Sequence, residues 1–379
     1  MRPIEPKFTI GIEEEYLLVD RSSMDLVSDP PPSIMAECKR LTHWQVSPEL
    51  LRSQIEVGTQ VCQTISEARE DLTHLRGIVI EVAGREGLSP IAASTHPFGR
   101  WMEQKHTSVE RYRDLTEELQ AAARRLLICG MHVHVGIDDD ELRIDLMNQL
   151  RYFLPHLLAL SASSPFWEGL DTGLRSYRLT ILDALPRTGL PEQFESFSEF
   201  QRHVDSLVRA GLLEDATKIW WDLRPSARYP TLETRIFDVC TNLDDAIALA
   251  ALTVSLLRML YRLRVKNQRW RIYNRMLLNE NRWRAMRYGT DESLLDLAKG
   301  ELVPFPQLID ELLLLVAQDA EALDCEKEVE HVRKIVQRGT SAHRQGEVFA
   351  KAKQAGADQK EALREVVNFL IEETARNSG

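Results

Sequence analysis

Apolar and polar positions alternate along some stretches of this chain and recur every three to four residues along others. Lys7–Asp20 (KFTIGIEEEYLLVD) is rich in β-branched and aromatic residues and reads as a strand. Ser28–Ser33 (SDPPPS) reads as a loop, and Leu51–Val61 as a second strand. Thr64 and Glu67 have capping-box spacing and open a helix to about Arg85. Ile91–Thr95 reads as a short strand, followed by a Pro/Gly loop over His96–Gly99. Thr107 and Glu110 repeat the capping-box spacing before a helix to about Leu127. Ile128–Ile137 (ICGMHVHVGI) alternates as a strand does, and a helix follows to about Ser163. Ser196 and Glu199 form a third capping box, with Gly211 as the stop. Lys218–Leu223 and Thr231–Val239 read as strands, and Leu243–Val265 as an apolar, central helix. From Glu311 the pattern is helical, with breaks near Gly339 and Gly356.

Strands thus crowd into the first 240 residues or so and helices into the rest, without strict βαβ alternation. This predicts an α+β fold with a mostly antiparallel sheet. The expected organisation is one domain over 1–379, in which 301–379 is a helical C-terminal part.

Composition narrows the function classes. With 47 Lys+Arg against 58 Asp+Glu, the net charge is −11 over 379 residues. An acidic chain is a poor general binder of nucleic acid, whose affinity comes from neutralising phosphates. Five cysteines without a C-x-x-C spacing suggest neither a disulfide framework nor a zinc knuckle, and fit a reducing cytoplasm. No basic-then-apolar leader opens the sequence, and the longest uncharged apolar run, Ala246–Leu257, is too short to span a bilayer. The segment Arg269–Arg287 interleaves arginines with Trp270, Tyr273 and Trp283. It reads as a helix with a solvated basic face, or one facing phosphate, rather than as a nucleic-acid surface.

The strands carry the chemistry. Residues two apart share a face. Glu13 and Glu15 therefore share one face, opposite Glu14. His132 and His134 share one, opposite Met131, Val133 and Val135. Glu233 and Arg235 share one, opposite Leu232 and Ile236. Glu56 lies between Ile55 and Val57, with Glu49 seven residues earlier. Each motif alone is also what a solvated polar sheet face would show. Lined up, they would present several carboxylates and imidazole to one cleft. Crowded carboxylates stay ionised only if cations neutralise them. Oxygen-rich ligands with an imidazole suit Mg²⁺ or Mn²⁺. Such ions facing an arginine are what phosphoryl transfer from ATP requires.

At these residues the chain resembles the glutamate–cysteine ligase type 2 family, the YbdK-type carboxylate–amine ligases. The matching pieces run in order from FTIGIEEEYLLVD (8–20) through SQIEVGTQVC (53–62), HPFGRW (96–101), CGMHVHVGI (129–137), RSYR (175–178), TLETRIFD (231–238) and ENRWRAMRYG (280–289) to GTSAHRQ (339–345). The resemblance implies a glutamine synthetase-like fold, a curved and mostly antiparallel sheet with helices packed behind. It implies ATP-dependent joining of a glutamate-like carboxylate to an amine such as cysteine, through an acyl phosphate with Mg²⁺. It also implies a homodimer. By this resemblance Glu13, Glu15, Glu49, Glu56, His132 and Glu233 are metal ligands. His134 touches nucleotide phosphate, and Arg235 faces the transferring phosphate as the catalytic residue. Arg175, Arg178, Arg284 and Arg287 are weaker matches for substrate or phosphate contact. Two other readings stand beside this one: an ATP-binding regulatory protein without turnover, and a hydrolase using the same cleft.

Overall fold

The computed structural model of the chain describes residues 5–108 and 117–377. Its main sheet holds seven strands: β1 (Ile10–Asp20), β2 (Val46–Pro48), β3 (Gln54–Gly58), β4 (Leu88–Ile91), β5 (Met131–Gly136), β6 (Leu223–Pro225) and β7 (Thr231–Thr234). They lie in the order β6-β7-β5-β1-β3-β2, and β4 extends the row of β5 along the same edge of β1. Every pairing in this sheet is antiparallel. The long strand β1 is therefore the spine, held by three neighbours.

The helices follow the apolar periodicity. They are α1 (Pro32–Leu41), α2 (Ile65–Arg85), α3 (Asp140–Leu150), α4 (Leu154–Ser161), α5 (Phe197–Arg209), α6 (Leu243–Val265), α7 (Arg275–Tyr288), α8 (Phe305–Ala322), α9 (Glu326–Arg338), α10 (Ser341–Gln354) and α11 (Gln359–Ala375). Thr64 and Ser196 cap α2 and α5 as their spacing predicts, each side chain accepting from the third residue's backbone N–H. α6 is long and apolar enough to cross a membrane by length and composition. However, 83% of its most apolar 18-residue window is buried inside the protein, so it serves as a core helix. It packs with α2 behind the sheet, against β1 and β5. The C-terminal helices close onto this core. The Ala92 N–H donates to Thr374 Oγ1 at 2.9 Å, and Gln345 Nε2 donates to the Ser163 carbonyl at 2.8 Å.

Several elements depart from expectation. α1 starts at the end of a proline run that reads as loop; Pro32 occupies the first turn, where a missing N–H costs nothing. The expected helix to Ser163 is two helices joined by a 3₁₀ turn, Arg151–Phe153. Pro155 cannot donate to a carbonyl four residues back, which favours the break. The expected strand Ile91–Thr95 lies earlier, at β4. The strands expected over 218–223 and 231–239 are shorter, and Trp220–Trp221 instead pairs in parallel with Thr188–Gly189. The helix expected to open at Thr107 and Glu110 lies partly outside the described residues; those described are helical at 117–119 and at Ala121–Arg124, interrupted at Gln120 with φ 48°.

Candidate active site

Sheet register assembles the site. Glu13 stands opposite His132, Glu15 opposite Glu56, and Glu233 opposite His134. Directly opposed residues share a face, so all six side chains emerge on one side of the sheet. β2 adds Ser47 opposite Glu56, and Glu49 follows at its end. β6 adds Arg224 opposite Glu233. Together they line a cavity of about 560 Å³.

Two clusters sit side by side. In the first, ligand atoms of Glu13, His134 and Glu233 lie within 4.8 Å of one another. The His132 Nδ1–H donates to Glu13 Oε2 at 2.9 Å, and His134 Nε2 is 3.4 Å from Glu13 Oε1. Arg224 Nε donates to Glu233 Oε2 at 3.0 Å, and Arg235 Nη1 bonds Glu233 Oε1. Burial opposes the charge on Glu13, yet the two imidazoles outweigh it and hold the carboxyl well below the usual range. Burial likewise opposes the charge on Glu233, and Arg235 and Arg224 hold it low. For His132, burial and then the Arg235 charge push the imidazole down to about 4, so it is neutral at pH 7. With Nδ1 donating to Glu13, its buried Nε2 lone pair has no partner.

The second cluster is Glu15, Glu49 and Glu56, again with ligand atoms within 4.8 Å. No Lys, Arg or His makes an ion pair with any of the three among the described residues. Glu15 accepts from the Gly130 N–H at 2.7 Å, Glu49 from the Leu50 N–H at 3.2 Å, and Glu56 from Ser47 Oγ at 3.0 Å. Burial, then the Glu56 charge, pushes Glu15 up to about 7. Burial and the neighbouring glutamates push Glu49 up as well, and burial with Glu13 does the same for Glu56. Three carboxylates this close call for a hard cation with oxygen ligands, so they fit Mg²⁺ or Mn²⁺. The free Nε2 of His132 fits an imidazole ligand on the other side.

Arg178 reaches the cleft over the backbone of Gly130. A Cβ at position 130 would collide with its guanidinium, so any larger residue there would displace Arg178. Both Nη atoms stand 3.4 Å from the Arg235 carbonyl, and its buried Nε has no partner.

All six expected ligands line the cavity, as do His134, Arg178 and Arg235. Arg175, Arg284 and Arg287 do not. Arg175 Nη2 is paired with Asp291 at 2.7 Å, Arg284 Nε bonds the Ser293 carbonyl at 2.7 Å, and Arg287 bonds the Gly173 carbonyl. Carboxylate and carbonyl oxygens of neighbouring segments take these guanidinium groups. The sequence reading missed Arg224, Arg228 and Tyr229 of the β6–β7 hairpin, which also line the cavity. Treating the two predicted strands as a hairpin around Pro225–Pro230 would have set Arg224 against Glu233.

Known proteins resemble this chain in sequence and in fold. A family model described as glutamate-cysteine ligase family 2 matches residues 9–368. A Rhodospirillum rubrum protein is 60% identical over 379 residues, covering 99% of this chain and 97% of its own. A Jannaschia relative is 55% identical over 366 residues, covering 97% and 96%. Both bear the inferred name glutamate–cysteine ligase 2. Among solved structures, the glutamate–cysteine ligase of Francisella tularensis in complex with AMP shares the fold. Its TM-score is 0.70 at 13% identity, over 98% of this chain and 90% of that one. A bifunctional glutathione synthetase from Pasteurella multocida aligns with TM-score 0.67 at 17% identity, over 97% of this chain and 53% of that one.

Proposed function

The chain belongs to the glutamate-cysteine ligase family 2, and on that premise we propose that it is an ATP-dependent carboxylate–amine ligase that uses Mg²⁺ or Mn²⁺. The carboxylate is glutamate or a close analogue, and the amine is cysteine or another primary amine. The observation that carries the reading is the pairing of two unlike clusters on one sheet face. One is a glutamate trio with which no Lys, Arg or His pairs among the described residues; beside it arginines converge on Glu233. A binder of neutral ligands needs neither.

Glu15, Glu49 and Glu56 would hold one ion, and Glu13 and Glu233 another, with His134, whose ligand atom clusters with theirs, or the unpartnered Nε2 of His132 as the imidazole. The ions, when bound, neutralise phosphate oxygens and the charge that develops during transfer. The chain's own groups do the rest. Arg235 keeps Glu233 ionised and turns its other N–H groups toward the transferring phosphoryl. Arg178, buried and with Nε free, adds a second positive charge beside it. A substrate carboxylate oxygen attacks the γ-phosphorus and ADP leaves. The amine nitrogen then attacks the acyl carbon, phosphate leaves, and the amine proton passes to solvent. Leu126, Ile128, Leu182 and Leu185 give part of the cavity an apolar wall, which favours expelling water from the acyl phosphate.

The same proposal places the enzyme in a reducing cytoplasm, where its five buried cysteines remain thiols. It also takes the enzyme to be a homodimer, a point resting on family likeness; a single-chain mass by light scattering removes it. The deciding experiment incubates the protein with ATP, Mg²⁺, glutamate and a panel of amines including cysteine and apolar amines. Amine-dependent release of ADP and phosphate is expected. Release that ignores the amine indicates a hydrolase, and folded protein that binds ATP without any turnover indicates a regulatory binder.

A further inference from the structure

We propose that Arg282, on α7, is a positioning residue that braces the two segments delivering Arg178 and Arg235 to the cleft; the proposal rests on the ligase reading of that cleft. Arg282 lies outside the cavity lining and is 6% exposed. Its guanidinium makes two forked pairs along two different edges. Nε and Nη2 donate to Asp222 at 2.7 and 3.2 Å; Nη1 and Nη2 donate to Asp183 at 2.6 and 2.9 Å.

Each carboxylate leads directly to a cleft arginine. The carbonyl of Asp222 accepts from the Arg235 N–H at 2.8 Å, so Asp222 sets the backbone that carries Arg235. Asp183 ends the short helix Arg178–Leu182, whose first residue is Arg178. α7 holds the start of the same segment too: the Met286 carbonyl accepts from the N–H groups of Arg175 and Ser176 at 2.8 and 3.1 Å. One helix therefore holds both ends of the segment 175–183, which contains RSYR, and also Asp222 just before β6. A planar fork with five donors can serve two carboxylates at once, whereas a lysine is a single point of charge. The ENRWRA motif thus acts on the cleft from behind, through Arg282, rather than by reaching substrate.

The test compares Arg282→Lys, Arg282→Met and Asp183→Asn with wild type, using amine-dependent turnover, thermal unfolding and calorimetric binding of pyrophosphate. Arg282→Lys is expected to melt closer to wild type than Arg282→Met, yet with kcat down about tenfold to a hundredfold and KM for ATP up by about tenfold. A purely structural residue would give the reverse, with kcat of the folded lysine variant restored. Folded Arg282→Lys with kcat within about twofold of wild type overturns the proposal. If neither Arg282 variant folds, Asp183→Asn decides, because Asp183 is partly exposed and its loss removes only one fork. It should lower kcat several-fold, and unchanged kcat overturns the proposal. Wild type without turnover would sink the ligase reading instead; pyrophosphate affinity in the variants, expected to fall about tenfold, then tests the brace alone.

Discussion

Glu14 and Glu15 are adjacent in sequence and occupy opposite circumstances. Glu14 points behind the sheet and is fully buried. Arg76 donates to both of its oxygens at 2.6 and 2.7 Å, and the Tyr16 hydroxyl donates at 2.5 Å. The arginine's remaining N–H groups reach the carbonyls of Cys240 and Thr241 at 2.8 and 3.0 Å, so the charge is matched from every side. Glu15 points to the cleft, shares its space with Glu49 and Glu56, and among the described residues finds only a backbone N–H as hydrogen-bond donor. The same side chain is thus neutralised for good on one face and left in deficit on the other. A fold stabilises itself with the first arrangement. The second is stored for a ligand.

The largest break in that contrast is expected from Arg235. Replacing it with Met should lower kcat by about a thousandfold or more, the scale of losing an arginine that faces a transferring phosphoryl. Circular dichroism should stay near wild type, and ADP release measures the loss. Next comes the isosteric pair. Glu14→Gln strands the buried Arg76 charge and should cost about 3–5 kcal/mol in denaturant unfolding. Glu15→Gln removes one of three crowded acids, so without metal it should leave stability unchanged or raise it by about 1 kcal/mol, while abolishing most activity. Equal losses of stability in both would erase the distinction between the faces.

A third test concerns a histidine buried away from the cleft. His96 is completely buried, donates through Nε2 to the Met24 carbonyl, and accepts at Nδ1 from Phe98 and Gly99. Burial pushes its pKa down to about 3. The unfolded chain binds a proton near pH 6.5 and the folded one does not. Its stabilising contribution is therefore present above pH 6.5 and lost as pH falls from there toward 3. About 2–3 kcal/mol should be gone by pH 4.5, seen as a steeper fall in unfolding free energy than in His96→Asn. The smallest effects belong to Arg284→Ala and Arg287→Ala. Both side chains are tied outside the cavity, so turnover should stay within about twofold and stability within about 0.5 kcal/mol.

Much of this was legible before any coordinates. Period-two alternation placed Glu13, Glu15, His132, His134 and Glu233 on polar faces, and the capping signals at Thr64 and Ser196 set two helix starts. What alternation cannot give is the strand across the way. β2 is three residues ending in Pro48, too short to show a period, and only its pairing with β3 carries Glu49, just past its end, to the side of Glu56. Arg224 was overlooked for the same reason, since its meaning comes from standing opposite Glu233. The arginines of α7 misled in the other direction. Their composition is that of a phosphate surface, but each guanidinium met a carboxylate or carbonyl of a neighbouring segment, an outcome that only packing decides. The extra break between α8 and α9 passes through Asp324, at φ 52°, where no glycine announces the turn.

The buried Glu14–Arg76 pair also works as a registration mark. β1 must choose its alignment against β3, β4 and β5, and a slip of one residue would turn every side chain over. Glu13 and Glu15 would then enter the interior, where a single guanidinium waits for one carboxylate. Glu14 would stand alone in the cleft. The misaligned strand would bury an excess acid and lose its partner at once, so mispaired chains are penalised as they form. Three consecutive glutamates, which in composition resemble a solvated acidic patch, in this way help the chain to recognise its own correct alignment.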